Sequence, residues 1–361
     1  MRSQNRVHCL LWSVAILLAA AGAGSAQVSF TEYSIPTAGS QPFFIVAGPD
    51  GALWFSEYAV NKIGRLTTGG AFTEYPVPTA NSQPLSLVVG PDGALWFTEY
   101  APAANKIGRI TTAGGFTEYT VPTANSQPGT IAVGPDGALW FTEYIGTKIG
   151  RITTGGAFTE YPVPTANSGP GIIVVGPDQA LWFSEYFGGK IGRITTGGAI
   201  TEYPVPTANS GSFGLAVGPD GALWFTEDLV NKIGRITTGG AFTEYPVPTA
   251  NSFPYTIVAG PDQGLWFTEY NGNKLGRSSI LGGFAEYPVP TANSGPNGIA
   301  VGPDQALWFT EINSNKIGRA AIPLQVPALP TWGVALLAAL IAAAGALQLR
   351  RRGGLRPAGR G

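Results

Sequence analysis

One eleven-residue segment, Gly90-Pro91-Asp92-Gly93-Ala94-Leu95-Trp96-Phe97-Thr98-Glu99-Tyr100, returns with small changes seven times along the chain. Its tryptophans mark the period: Trp54, Trp96, Trp140, Trp182, Trp224, Trp266 and Trp308 are separated by 42, 44, 42, 42, 42 and 42 residues. A fixed period of about 40–45 residues belongs to a stacked or circular array of one supersecondary unit. Length alone would divide 361 residues into two or three domains, but the repeat makes most of the chain a single array.

Residues 84–126 show the unit. Leu85 to Val89 is a short apolar strand, closed by the strong turn signal Gly90-Pro91-Asp92-Gly93. Ala94 to Tyr100 is a second strand and Lys106 to Thr112 a third; Gly114-Gly115 then turns the chain into a fourth, Phe116 to Val121. Pro122-Thr123-Ala124-Asn125-Ser126 crosses to the next copy. The 51 glycines and 30 prolines recur at these turns, so they punctuate strands rather than mark disorder. Four antiparallel strands in each of seven copies, without helical periodicity, predict an all-β fold, a seven-bladed β-propeller over residues 27–322.

The ends of the array predict its closure. The chain enters at Val28-Ser29-Phe30-Thr31-Glu32-Tyr33, a fourth-strand sequence, and leaves the array at Lys316-Ile317-Gly318-Arg319, a third-strand sequence. The N-terminal strand is therefore expected to complete the last blade. Within the second strand Leu95 and Phe97 point one way and Trp96 the other, which suits a blade packed between two neighbours and makes the tryptophans core.

Charge is distributed as regularly as the tryptophans. Of the 21 Lys and Arg residues seven lie near the termini, leaving 14 in the repeats against all 22 acids, so the array has no basic face that would favour nucleic acid. Counting outward from Gly69-Gly70 sets Arg65 opposite Glu74, and counting from Ala59-Val60 sets Glu57 opposite Lys62. Two such cross-strand pairs in each blade would use every base and 14 acids. The eight acids left over are seven turn aspartates, expected to bond their own backbone, and Asp228, the one ionisable departure from the repeat. His8 and Cys9 are the only histidine and cysteine, so the array can hold neither a disulfide nor a Cys/His metal site.

The terminal segments read as addresses. Arg2 and Arg6, the apolar run Leu10 to Ala23 and Gly24-Ser25-Ala26 predict a signal peptide over residues 1–26, and hence export with signal peptidase as a partner. Gly333 to Leu349 is apolar and long enough to span a membrane as a short helix, and the basic segment 350–361 follows on the expected cytoplasmic side. Residues 323–332 are a linker carrying a motif: Pro327, Leu329, Trp332 and Gly333 match, with Val326 standing for Ile and Ala328 for Thr, the IPTL-type C-terminal sorting signal of bacterial envelope proteins, which this stretch resembles. That resemblance implies a sortase-like processing enzyme and a surface-attached or released protein. The expected location is the bacterial cell envelope, the surface or the exterior.

Variation between copies collects at the crossover into each first strand and at the loop between second and third strands, which in an up-and-down blade emerge on one face. Phe43, Phe44, Phe187, Phe213, Phe253 and Tyr255 lie there, and with Asp228 they are the candidate binding residues for an unidentified ligand or protein partner.

The unit Gly-Pro-Asp-Gly-Ala-Leu-Trp-Phe-Thr-Glu, followed by Asn-Lys-Ile-Gly-Arg-Ile-Thr and Thr-Glu-Tyr-Pro-Val-Pro-Thr, resembles the virginiamycin B (streptogramin B) lyase family over residues 28–322. The resemblance implies a seven-bladed propeller, and for an active member the opening of a cyclic depsipeptide by elimination with a histidine base, glutamate partners and Mg²⁺ near the channel. Those lyases often carry Pro-His-Gly at the crossover, where this chain has Pro84-Leu85, Pro128-Gly129, Pro170-Gly171 and Pro296-Asn297. No histidine follows His8, so no base titrating near neutrality is visible. The expectation is a non-catalytic binding module without a cofactor. The alternatives are a lyase or hydrolase with another base, in which Glu269 would bind Mg²⁺, and a purely structural repeat protein.

Overall fold

The computed structural model describes residues 27–323. The expected signal peptide, the sorting motif with its linker beyond residue 323, the apolar run 333–349 and the basic end lie outside the described residues. The described chain forms seven four-stranded antiparallel sheets arranged as a β-propeller, numbered here blades 1 to 7 from residue 42. Blade 1 runs through strands Pro42–Ala47, Leu53–Glu57, Lys62–Leu66 and Phe72–Pro76, and the next five blades repeat it. Ser29–Ser34 pairs antiparallel with Lys316–Ala321, so the first strand of the chain is the outer strand of blade 7 and closes the ring. First strands of neighbouring blades touch one another and line the channel.

The tryptophans seal the blades together. All seven are buried, each packed among apolar residues of the following blade; Trp54 meets Leu87, Leu95 and Phe97. Tyr75 stacks on Trp54 at 5.5 Å, and Tyr33 stacks on Trp308 at the closing blade. Gly64 is required by the same packing, because a Cβ there would collide with the Phe55 ring.

The first strand is bulged, and the bulge aims residues at the channel. Pro42 lies opposite Glu57 but Ile45 opposite Phe55, so the ladder slips at residues 43 and 44. The hydroxyl of the second strand repairs it: Ser56 Oγ accepts from Phe44 N at 3.1 Å and donates to Leu85 O of blade 2 at 2.7 Å. Thr98 does the same for Ser86 N and Gly129 O, and Thr310 reaches Phe43 O across the closure. The hydroxyl in Trp-Phe-Thr-Glu is therefore a link between blades, repeated round the ring.

The charge pairing differs from the sequence expectation. The hairpin between third and fourth strands sets Leu66 opposite Phe72, Arg65 opposite Thr73 and Gly64 opposite Glu74. Its loop holds one more residue than a two-glycine turn, because Thr67 N donates to Ala71 O and Thr67 Oγ1 accepts from Ala71 N. A one-residue slip puts Arg65 and Glu74 on opposite faces. Arg65 Nε instead donates to Asp50 Oδ2 at 2.6 Å, while Asp50 Oδ1 accepts from Trp54 Nε1 at 3.0 Å. Glu57 does lie opposite Lys62 in the ladder, but Lys62 Nζ goes to Glu74 Oε2 at 3.1 Å and Thr37 Oγ1 at 2.7 Å. The same two ion pairs recur in every blade and engage all 14 bases of the described residues. The acids left over are thus not the turn aspartates. They are the seven glutamates that end the second strands, and Asp228.

Candidate functional site

Those seven glutamates are fully buried, and in six of them, Glu57 to Glu269, neither carboxyl oxygen has a hydrogen-bond partner. In the seventh, Glu311 accepts from Ser314 Oγ at 2.9 Å. Burial disfavours the charged form and the neighbouring fourth-strand carboxylate disfavours it further, against the weaker pull of the nearby lysine. The outcome is a pKa pushed up to about 8 for Glu57, Glu99 and Glu227, and to about 7 for Glu143, Glu185, Glu269 and Glu311. The fourth-strand partners move the other way: Glu74 is desolvated, but its bonds from Thr37 and Lys62 hold its pKa below the usual value.

The bulges and the ends of the second strands meet at the loop face. The bulge position reads Phe43, Leu85, Gly129, Gly171, Phe213, Tyr255 and Asn297 around the ring. Large rings on blades 5, 6 and 1, with glycines on blades 3 and 4, leave a cavity of about 350 Å³ at the channel mouth. Its wall includes every bulge residue but Asn297, together with Phe44, Phe253, Asp228 and four tyrosines. Those tyrosines, Tyr58, Tyr100, Tyr144 and Tyr186, follow the second-strand glutamate in blades 1 to 4; Asp228 holds the same place in blade 5.

The rings form a closed circuit around the opening. Tyr58, Tyr100 and Tyr144 follow one another at 6.5 and 6.4 Å. Phe187 bridges Tyr144 to Tyr186 at 5.7 and 5.1 Å. Phe213 lies 6.2 Å from Tyr186 and stacks on Tyr255 at 4.4 Å. Phe43 completes the circuit, 6.1 Å from Tyr255 and 5.8 Å from Tyr58. Phe253 stands behind Tyr255, with φ +56° at a position where blades 4, 5 and 7 place Gly169, Gly211 and Gly295.

Asp228 is the one acid in this wall. It is 4% exposed, neither carboxyl oxygen makes a hydrogen bond of regular geometry, and no base is paired with it. Burial pushes its pKa up to about 7, although the nearby Tyr186 hydroxyl and Leu229 amide pull the other way. Burial raises Tyr186 in turn to about 12, with the Asp228 charge adding to the effect. Gly211, at φ +64°, leaves room for this carboxyl; a Cβ there would collide with Asp228 Oδ1.

Of the candidate residues from the sequence, Phe43, Phe44, Phe213, Asp228, Phe253 and Tyr255 line the cavity. Phe187 stands at the rim, 65% exposed, beside the exposed Ile145 and Leu229 at the same position in blades 3 and 5. Glu269 lies elsewhere, fully buried beside Glu286 and Lys274. An octahedral, water-keeping ion such as Mg²⁺ wants several oxygen donors and no adjacent ammonium. No group of three His, Cys, Asp or Glu side chains suited to a metal occurs among the described residues, so the donor set at Glu269 does not suit that ion. Tyr58, Tyr100, Tyr144 and Tyr186, a collar around the opening, recur in the repeat, so departure from the repeat does not single them out.

One family profile and three solved structures match this chain. A sequence profile described as the virginiamycin B lyase family matches residues 8–205 and 165–331. The chain is similar to selenomethionine-substituted virginiamycin B lyase from Staphylococcus aureus, at 42% identity over 82% of this chain and 100% of that one, with a TM-score of 0.79. It is equally similar to a catalytically inactive histidine-to-alanine variant of that lyase with quinupristin, at 41% identity, 82% and 100% coverage and a TM-score of 0.78. A streptogramin B lyase structure matches at 41% identity, over 82% of this chain and 98% of that one, with a TM-score of 0.78.

Proposed function

This chain belongs to the virginiamycin B lyase family, and we propose that it is an exported member that binds a bulky organic ligand at its loop-face pocket without the lyase's histidine chemistry. The observation that carries this reading is the make-up of the pocket wall: a cavity of about 350 Å³ lined mostly by aromatic rings, with two glycines and a single acid, in a chain with no histidine beyond His8. Concave sites of this size with an apolar wall and few polar groups are typical of small-molecule binding. Export and attachment at the cell envelope rest on the terminal segments, and they bring signal peptidase, a sortase-like enzyme and the membrane in as transient partners.

Quinupristin, which accompanies the inactive variant of the related lyase, is the first ligand to try. Titration of the purified full chain by calorimetry should give saturable binding. Phe213→Ala and Asp228→Tyr should each weaken it several-fold, since one removes a wall and the other fills the cavity. Binding of unchanged strength in both variants would put the ligand elsewhere and contradict the reading.

A second reading has one observation in its favour. Elimination needs a base that accepts a proton near neutrality, and Asp228, a residue of the cavity wall with its pKa raised to about 7, is such a group. Under this reading Asp228 would take the proton of a bound depsipeptide, without help from a metal held at Glu269. Turnover that is lost in Asp228→Asn while ligand binding persists would favour it.

A further inference from the structure

We propose that the pocket is selective for an organic cation, a tertiary or quaternary ammonium group carried on an apolar body, with Asp228 as its counter-ion. The proposal rests on the reading that this pocket holds a ligand, and it names the ligand's chemical class.

Three features of the pocket carry it. The first is the closed circuit of rings, whose neighbouring centroids lie between 4.4 and 6.5 Å apart. Aromatic faces attract a cation through their quadrupoles, and the attraction grows where water is excluded. The second is Asp228, 4% exposed, without a hydrogen bond of regular geometry, and set into the same wall. Every base among the described residues is committed to another acid, so those residues provide Asp228 with no counter-ion. A neutral ligand would leave the carboxylate unpaired and an anion would be repelled, whereas a cation completes it.

The third feature selects the kind of cation. A primary ammonium brings three N–H donors that each need an acceptor. Beside Asp228 the wall's side-chain acceptors are hydroxyls alone, those of its five tyrosines and Thr130 Oγ1, which already donates to Gly171 O at 2.8 Å. An alkylated ammonium brings one donor or none and presents methyl groups to the rings. Its apolar body has a place to lie, because Ile145, Phe187 and Leu229 form an exposed apolar arc over blades 3, 4 and 5 at the rim. Leu229 directly follows Asp228, so the arc begins at the counter-ion.

Isosteric probes test this. Benzyltrimethylammonium and its neutral counterpart neopentylbenzene differ in one atom and one charge, as do choline and 3,3-dimethylbutan-1-ol. Binding to the purified full chain at pH 8 is followed by ligand-observed NMR and by tyrosine fluorescence. The cation of each pair should bind at least about tenfold more tightly than its neutral isostere. Asp228→Asn, which keeps the shape, should abolish that preference while leaving the neutral probes unchanged. Asp228→Tyr, which installs the residue the neighbouring blades carry, is the second variant and should also lose the preference. Equal binding of charged and neutral probes, unaffected by Asp228→Asn, would overturn the cation proposal and leave the pocket as an apolar binding site. Failure of all four probes to bind would overturn it too, and the quinupristin titration then decides separately whether the pocket binds anything.

Discussion

Asp228 stands where other blades carry Tyr58, Tyr100, Tyr144, Tyr186, Tyr270 and Ile312, and it was legible in the sequence because it breaks the repeat. Its surroundings were not. The collar tyrosines and the buried glutamates are repeat residues, and a repeat residue looks structural until the ring places its copies around one opening. Gly211 is part of the same local design. Gly211→Ala puts a Cβ at φ +64° against Asp228 and Leu229, so it should cost about 1–3 kcal/mol in denaturant unfolding and weaken ligand binding. The turn aspartates show a different residue-scale lesson. Asp92 was expected to bond its own backbone, and it accepts from Ala94 N at 3.3 Å, but it also receives Trp96 Nε1 at 3.0 Å and Arg109 Nε at 2.6 Å. Asp92→Ala leaves a buried indole N–H unpaired and should destabilise the protein by about 1–3 kcal/mol, measured by urea unfolding.

At the scale of the strand, the sequence placed elements to within two residues: the expected Leu85 to Val89, Ala94 to Tyr100, Lys106 to Thr112 and Phe116 to Val121 correspond to Pro84–Val89, Leu95–Glu99, Lys106–Ile110 and Phe116–Thr120. Register was harder. The Gly-Gly pair reads as a two-residue turn, but the threonine side chain two residues before it takes up the backbone amide beyond, and the slip reassigns every arginine. The first-strand bulge was invisible for another reason, since the hydroxyl that supports it sits on the second strand and the carbonyl it holds lies in the next blade. Thr98→Val removes the bonds to Ser86 N and Gly129 O at once while conserving volume. Its expected cost is about 1–3 kcal/mol, and hydrogen exchange should show the loss of protection at Ser86.

Over the whole molecule the corrected pairing changes what the charge means. Fourteen ion pairs cancel, and the eight acids outside them all have a pKa raised to about 7 or 8, so the propeller is nearly neutral at mildly acidic pH and gains negative charge above it. An acid whose folded pKa lies above its unfolded value near 4.5 binds more protons when folded, so stability falls as pH rises through that interval. The unfolding midpoint should therefore decline steadily from about pH 5 to pH 9. Below about pH 4 the opposite group takes over, since the paired acids such as Glu74 and Asp50 have lowered values and lose their stabilisation on protonation. Glu143→Gln keeps the shape of the side chain and removes the buried charge, so at pH 9 it should be more stable than the parent by about 1–3 kcal/mol. A midpoint that rises between pH 5 and pH 9 would contradict the assignment of these glutamates.

The propeller and its closure were readable from periodicity alone, and so was the face that carries the pocket, because variation in an otherwise uniform ring has only two loops in which to collect. The pocket's shape was not readable, since it depends on two glycines at a bulge whose existence the sequence did not disclose. The measurement that tests the account most directly is quinupristin ring opening by the purified full chain, followed chromatographically with and without Mg²⁺ beside Asp228→Asn. The account predicts saturable binding and no opening above the uncatalysed rate in either condition. Opening that depends on the protein and disappears in Asp228→Asn would contradict it, and would make this carboxyl the base of a lyase that works without histidine.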